Sequence, residues 1–140
     1  MNIVQDTNVF ISAVISDHGA SSRCLERCLR RQDTAHFGAA LLAEHEEKVE
    51  SESIWAPYGI TKAERRLLLD SLLRAAQWTN VFVSWRPNLP DPDDEHVYEL
   101  ALSAQAERLV TSNIADFLRA DLKPFPNPLI VTPAQHLKTL

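Results

Sequence analysis

Cysteine is nearly absent, with only Cys24 and Cys28 in 140 residues, spaced C-x3-C. A disulfide framework needs more cysteines, and a zinc site needs two further ligands at suitable spacing. The pair reads as buried thiols on one helix face, in a reducing compartment. Positive charge is also short. Fourteen Lys and Arg against 19 Asp and Glu leave a net charge of -5, which excludes a generally basic nucleic-acid coat but leaves room for a local basic patch. No apolar run approaches the ~18 residues of a membrane span, and the first residues lack a charged segment followed by an apolar one. Neither membrane insertion nor export is expected, so the cytoplasm is the expected compartment. Repeats, low-complexity tracts and internal linkers are missing too. What remains is 45% hydrophobic and 24% charged, the make-up of one globular domain over residues 1–140. At this size roughly 70% of the unfolded surface can be buried.

Short β-prone stretches alternate with helical spacing along the chain. Residues 2–5 (Asn-Ile-Val-Gln) predict a strand ending at Asp6, after which Val9, Phe10, Ala13 and Val14 recur at helical intervals. Gly19 breaks that helix, and Ser21 or Ser22 is expected to cap a second one with Cys24, Leu25, Cys28 and Leu29 on its apolar side. Ala35–Phe37 reads as a strand, and Leu41, Leu42, His45 and Val49 mark a third helix. Thr61 with Glu64 forms a capping box that opens a helix from Lys62 to about Trp78. Val81–Trp85 predicts a strand. Asp91-Pro92 then supplies an N-cap with proline at the first helical position, for a helix running to about Ala106. Arg108–Thr111 and Leu129–Val131 are the last predicted strands, with a turn or short helix over Asn113–Leu118 between them. This alternation predicts an α/β domain around a mostly parallel sheet, in which function collects at the carboxyl ends of the strands.

Two of those strand ends carry acids: Asp6, and Asp116 shortly after Leu109–Thr111. A third group, Asp91, Asp93, Asp94 and Glu95, opens the intervening helix. Carboxylates brought together repel and lose hydration, so a cluster calls for a cation, and hard Mg2+ or Mn2+ suits one. Capping and the helix dipole account equally well for acids at 91–95, and a turn cap for Asp116. An acid ending a central first strand has few structural uses. With Val97, Leu100, Ala101 and Ala104 as the buried face, Asp93 and Asp94 project toward it, Asp91 serves as the cap and Glu95 lies opposite. On the third helix Glu47 and Glu50 point away from the apolar face, while Glu44 and Glu46 flank it, and spacing does not choose between those two. His45 and His96 sit inside helices and read as structural. Arg23, Arg27, Arg30 and Arg31, with Arg65, Arg66 and Arg74, read mainly as solvated charges that also offer a patch for phosphates or an acidic partner segment.

Asp6-Thr7-Asn8-Val9, closing the first strand, resembles the opening of PIN domains, a fold of metal-dependent nucleases, and especially the VapC-like toxins of type II toxin–antitoxin systems. Gly19-Ala20-Ser21, Ala40-Leu41-Leu42-Ala43-Glu44, the run from Trp85 to Asp91, Val110-Thr111-Ser112-Asn113 before Asp116-Phe117, and Val131-Thr132-Pro133-Ala134 extend the resemblance in order over nearly the whole chain. It implies a PIN-like three-layer α/β fold, a mostly parallel twisted sheet flanked by helices. It also implies four catalytic acids converging at the sheet's carboxyl edge: Asp6, Glu44, Asp94 and Asp116. That selects Glu44 over Glu46 and Asp94 over Asp93. Asn8 and Thr111 resemble residues that support the cluster. Two positions depart from the family pattern. Gln5 stands where an apolar residue commonly precedes the first Asp and is expected to loosen the strand end. Asn113 stands where many PIN nucleases carry an acid; its amide oxygen can ligate but brings no charge.

The implied activity is hydrolysis of RNA phosphodiester bonds by a Mg2+- or Mn2+-dependent endoribonuclease. An ion held by Asp6, Asp94 and Asp116 lowers the pKa of a bound water and neutralises charge on the attacked phosphate, and a second near Glu44 and Asp116 stabilises the leaving oxygen. The implied partners are RNA and a cognate antitoxin. A homodimer is implied as well, motivated by the apolar surface expected of Trp55, Tyr58 and the Lys62–Trp78 helix. Asn113 keeps an alternative in view: a catalytically weakened PIN-like interaction module that binds a partner protein or RNA without cleaving it. Haloacid-dehalogenase-type phosphatases also open on an Asp after a first strand, but they carry a second Asp where this chain has Asn8.

Overall fold

The computed structural model describes residues 1–81, 92–118 and 127–140, the side chains of 92–94, 116 and 118 excepted. Strand β1 (Asn2–Gln5) leads into α1 (Thr7–Ile15) and α2 (Ala20–Leu29); β2 (Thr34–Phe37) leads into α3 (Ala39–Glu50). Then come α4 (Glu52–Trp55), a 3-10 turn at Ala56–Tyr58, and α5 (Lys62–Ala75) before β3 (Gln77–Trp78). Helix α6 (Pro92–Ser103), β4 (Arg108–Val110), α7 (Ile114–Leu118), β5 (Leu129–Val131) and α8 (Pro133–Lys138) complete the described elements. The strands form one all-parallel sheet in the order β3-β2-β1-β4-β5, flanked by helices as the α/β reading expects. Ile3 pairs with Ala35 on one side and with Arg108 on the other, so β1 is central. Ile3 and Val4 are buried, as a strand covered on both faces requires.

The register holds to the last residue of β1. Gln5 pairs with Val110, and Asp6 N donates to Val110 O at 2.9 Å. The strand end is therefore not loosened by Gln5, because the ladder runs through the backbone. Its side chain is buried instead, with Nε2 lacking a hydrogen-bond partner among the described residues.

Several boundaries move for physical reasons. Gly19, not Ser21 or Ser22, is the N-cap of α2, because the chain turns back within three residues of α1 and both serines fall inside the helix. Helix α5 ends at Ala75, since Ala76 is already extended (ψ 161°) to let Gln77 and Trp78 pair with His36 and Phe37. The edge strand thus lies before Val81, and 82–85, the rest of the predicted strand, lie outside the described residues. Helix α6 stops at Ser103, and Gln105 takes a positive φ of 53° in the turn that follows. Its burial is two-sided: Glu95 and Glu99 are buried along with Val97, Tyr98, Leu100 and Ala101, because α6 packs on both the sheet and α3. Glu95 was expected on the open side.

Most of the arginines serve the fold. Arg65 is fully buried, donating to Val49 O (2.9 Å), Ile60 O (2.8 Å) and Glu52 (2.7 Å), with its guanidinium 5.6 Å from the ring centre of Trp55. Trp55 is correspondingly buried, its indole bonded to Lys48 O at 2.7 Å. That removes it from the apolar surface expected to support a homodimer; Tyr58 and Leu67 remain exposed. Arg66 pairs with Glu46 and Asp70, and Arg30 with Glu26. Cys24 and Cys28 are buried free thiols, pushed up by burial to about 11 and about 12.

A second buried network ties α2, α8 and the start of β2 together. Asp33 accepts from Arg27 Nε at 2.9 Å and from His136 Nε2 at 2.8 Å, while Arg108 donates to His136 Nδ1 at 3.1 Å. Burial raises the Asp33 carboxyl, but the hydrogen bonds from Arg27, His136 and the terminal ammonium outweigh it and hold it at about 2. A depressed carboxyl stabilises the fold above its unfolded value of 3.8, and that contribution is lost as pH falls through the folded value. Urea unfolding of wild type should therefore lose roughly 2 kcal/mol between about pH 4 and pH 2 through this group. The Asp33→Asn variant, less stable throughout, should show a visibly flatter acid limb. Identical acid limbs in the two proteins would contradict the assignment.

Candidate active site

The site grows from the β1–α1 handover. Asp6 is the N-cap of α1, in extended conformation (φ −64°, ψ 152°), with Oδ1 accepting from Thr7 N at 2.8 Å. Its other oxygen accepts from the Thr111 hydroxyl at 2.9 Å and from Asn8 Nδ2 at 3.3 Å. Asn8 Oδ1 in turn accepts from Ser112 N at 3.3 Å, and Thr111 Oγ1 from Asn113 N at 3.1 Å. The residues just past β1 and β4 are thereby sewn together around one carboxylate. Asp6 is only 4% exposed. Its carboxyl is raised, first by burial and then, after the Thr111 hydrogen bond that opposes it, by the neighbouring charge of Glu44.

Glu44 approaches from α3, the helix that follows β2. His96 of α6 bonds its Oε2 through Nε2 at 2.8 Å, and that bond, more than any other influence, holds the Glu44 carboxyl below its usual range. Packing sends the two acids apart: Glu46 turns to Arg66 on α5, while Glu44 lines a cavity at the sheet edge. That cavity, of about 540 Å3, is lined by Asp6, Asn8, Glu44, Lys48, His96 and Asn113 among others. Lys48 lies one turn beyond Glu44 on the same helix face. The structure therefore brings Asp6, Asn8, Glu44, Thr111 and Asn113 to one edge of the sheet. Asp94 lies in the first turn of α6 and Asp116 within α7, but their side chains fall outside the described residues, as does Asp91 altogether. Among the described residues no three His, Cys, Asp or Glu stand together closely enough to hold a metal ion.

The two histidines read as structural separate here. His45 is buried between the rings of Phe10 and Phe37, donates to Leu41 O at 2.9 Å, and is pushed down to about 4 by burial. It belongs to the core. His96 belongs to the site, and it is the residue the sequence reading missed. No periodic pattern marks it, because its role depends on α6 crossing α3. Lys48 was findable from its i+4 spacing to Glu44.

A family model described as a PIN domain matches residues 2–115. The chain belongs to the PIN domain family. The crystal structure of VapBC2 from Rickettsia felis bound to a DNA fragment from their promoter has a similar fold, with a TM-score of 0.59 at 19% identity, covering 94% of this chain and 98% of that one. No curated protein matches in sequence. The PIN domain frame accounts for the placement of Asp6 and Thr111, since adjacent parallel strands β1 and β4 end side by side. Among its described residues no helix is long and apolar enough to cross a membrane.

Asp6 and Glu44 should titrate on opposite sides of their ordinary values, 3.8 and 4.5, in protein stripped of divalent ions. Carboxyl-carbon NMR across an acid titration checks this, and His96→Phe should move Glu44 upward. The sign for stability follows: ionising Asp6 costs the folded state as pH rises through its value, whereas ionised Glu44 contributes and is lost on acidification. An Asp6 carboxyl titrating below 3.8 would contradict the described site.

Proposed function

We propose that this PIN domain is a Mg2+- or Mn2+-dependent endoribonuclease, the toxin of a type II toxin–antitoxin pair acting on RNA in the cytoplasm. The observation that carries the reading is the buried Asp6 carboxylate beside Glu44, both lining an open cavity on the carboxyl edge of the sheet. Two acids held together at a charge cost fit a hard cation, which would relieve that cost. Asp6, Asp94 and Asp116 are the residues proposed to hold it. When bound, a divalent ion supplies a Lewis acid for the attacked phosphate and a water of lowered pKa.

The chain's own residues do the rest. Thr111 and Asn8 fix Asp6 Oδ2 so that its lone pairs need no reorganisation during reaction. His96 orients Glu44 and keeps it ionised, leaving Glu44 to take a proton from the attacking water. Lys48, on the cavity wall, contacts phosphate of the bound strand. Asn113 lines the same cavity and offers an amide where an acid would add charge, which favours the weaker alternative of a partner-binding module that does not cleave. The proposed protein partners are an antitoxin, by likeness to VapBC2, and a second copy of the chain, for which Tyr58 and Leu67 are exposed apolar side chains.

Asp6→Asn removes a charge while keeping a residue type that caps helices as well as Asp. In chelator the variant should stay folded and melt close to wild type, since the buried charge cost it removes is offset by an amide NH2 set against donors that the second carboxylate oxygen accepted from. Mg2+ at about 100 times its Kd should add about 2.7 kcal/mol to wild-type stability and much less to the variant. Cleavage of a mixed RNA pool should be lost. A variant that retains full cleavage would place the chemistry elsewhere, and one that unfolds in chelator would make Asp6 a structural cap alone.

A further inference from the structure

Beyond His96 lies a second cavity of about 370 Å3, sharing Ala40 and His96 with the acidic one. Its volume falls within the roughly 300–1,000 Å3 of ligand pockets. Its other walls include Trp78, Thr79 and Asn80. Trp78 closes β3 and, unlike the buried Trp55, is 53% exposed. The indole is nevertheless held: Nε1 donates to Asn80 Oδ1 at 3.2 Å. Since Asn80 Oδ1 accepts that proton, its amide nitrogen is left as a donor. The backbone behind the ring is pinned as well, with Thr79 N donating to Phe37 O at 2.8 Å and the Thr79 hydroxyl bonded to His36 Nδ1 at 2.9 Å. Gly38 permits this close fit, because a Cβ there would meet Thr79 O and Leu100 Cδ1 at 3.2 Å. The result is a fixed aromatic face at the same sheet edge as Asp6, two strand spacings or about 10 Å away.

The geometry points to a nucleobase subsite: the base beside the scissile phosphate stacks on Trp78 and accepts a hydrogen bond from the Asn80 amide. This rests on the nuclease reading above and adds to it the determinant of base choice. A peptide side chain is a poorer match than a base. The cavity offers one aromatic side chain, Trp78, among Thr79, Asn80, Val81 and Glu99, and it shares the wall residues Ala40 and His96 with the pocket proposed to hold the phosphate.

The test compares wild type, Trp78→Leu, Trp78→Phe and Asn80→Ala with Mg2+ on a mixed RNA pool, sequencing the cut ends. KM is then measured on one cleaved oligonucleotide and on its copy carrying an abasic residue beside the cut. Trp78→Leu should raise KM about tenfold, the loss of one stacked base, and flatten base preference at that position. On the abasic copy it should have no effect. Trp78→Phe should keep most of the affinity, and Asn80→Ala should flatten preference with a smaller rise in KM. Thermal melts establish that each variant is folded; if Trp78→Leu is not, the Phe and Asn80 variants decide by the same readouts. Unchanged KM and cut pattern in the variants, an effect that persists on the abasic copy, or a defect confined to binding a protein partner would each overturn the subsite while leaving the nuclease reading standing. A wild-type chain that cuts no RNA overturns both.

Discussion

A carboxylate at the end of a central parallel strand must either be compensated or held against its own desolvation, and the site is organised around that demand. Asp6 is compensated by hydrogen bonds: Thr7 N, the Thr111 hydroxyl and the Asn8 amide all donate to it. These donors stand where they do because β1 and β4 are adjacent and parallel, so that the residue after one strand meets the residue after the other. Burial still raises the carboxyl, and Glu44 adds to the effect. Asp6 and Glu44 thus stand as neighbouring carboxyls on the wall of one cavity. Buried ionisable groups perturbed in this way cluster at functional sites.

Three arginines of the described residues are engaged away from this carboxyl. Arg65 is spent on two backbone carbonyls and Glu52, Arg27 on Asp33, and Arg66 on Glu46 and Asp70. These pairs lock helices to one another and to the start of β2, and they leave Lys48 as the cationic side chain on the described wall of the acidic cavity.

Much of this was legible in the sequence, and most of the failures have a common cause. The β1–Asp6–α1 handover, the Thr61–Glu64 capping box and the alternation behind a parallel sheet are local signals, and each appears in the structure. The two-residue strand β3 was not legible, because helical spacing continues through Ala75 and only pairing with β2 ends it. Helix α6 was read as one-sided, yet it is packed on two sides, which buries Glu95. Spacing alone left Glu44 and Glu46 open; His96 and Arg66, from other helices, separate them. Trp55 looked available until Arg65 covered it. In these cases the deciding contact comes from another element, where periodicity carries no information.

The central proposal is that the carboxyl edge would hold a divalent ion between Asp6 after β1 and two acids on α6 and α7. Anomalous diffraction from crystals grown with Mn2+ tests it without reference to activity. The account predicts a peak beside Asp6, with oxygens of Asp6, Asp94 and Asp116 within about 2.0–2.6 Å of it. A peak elsewhere on the chain, or well-ordered Asp94 and Asp116 carboxylates turned away from Asp6 with no ion between them, would contradict it.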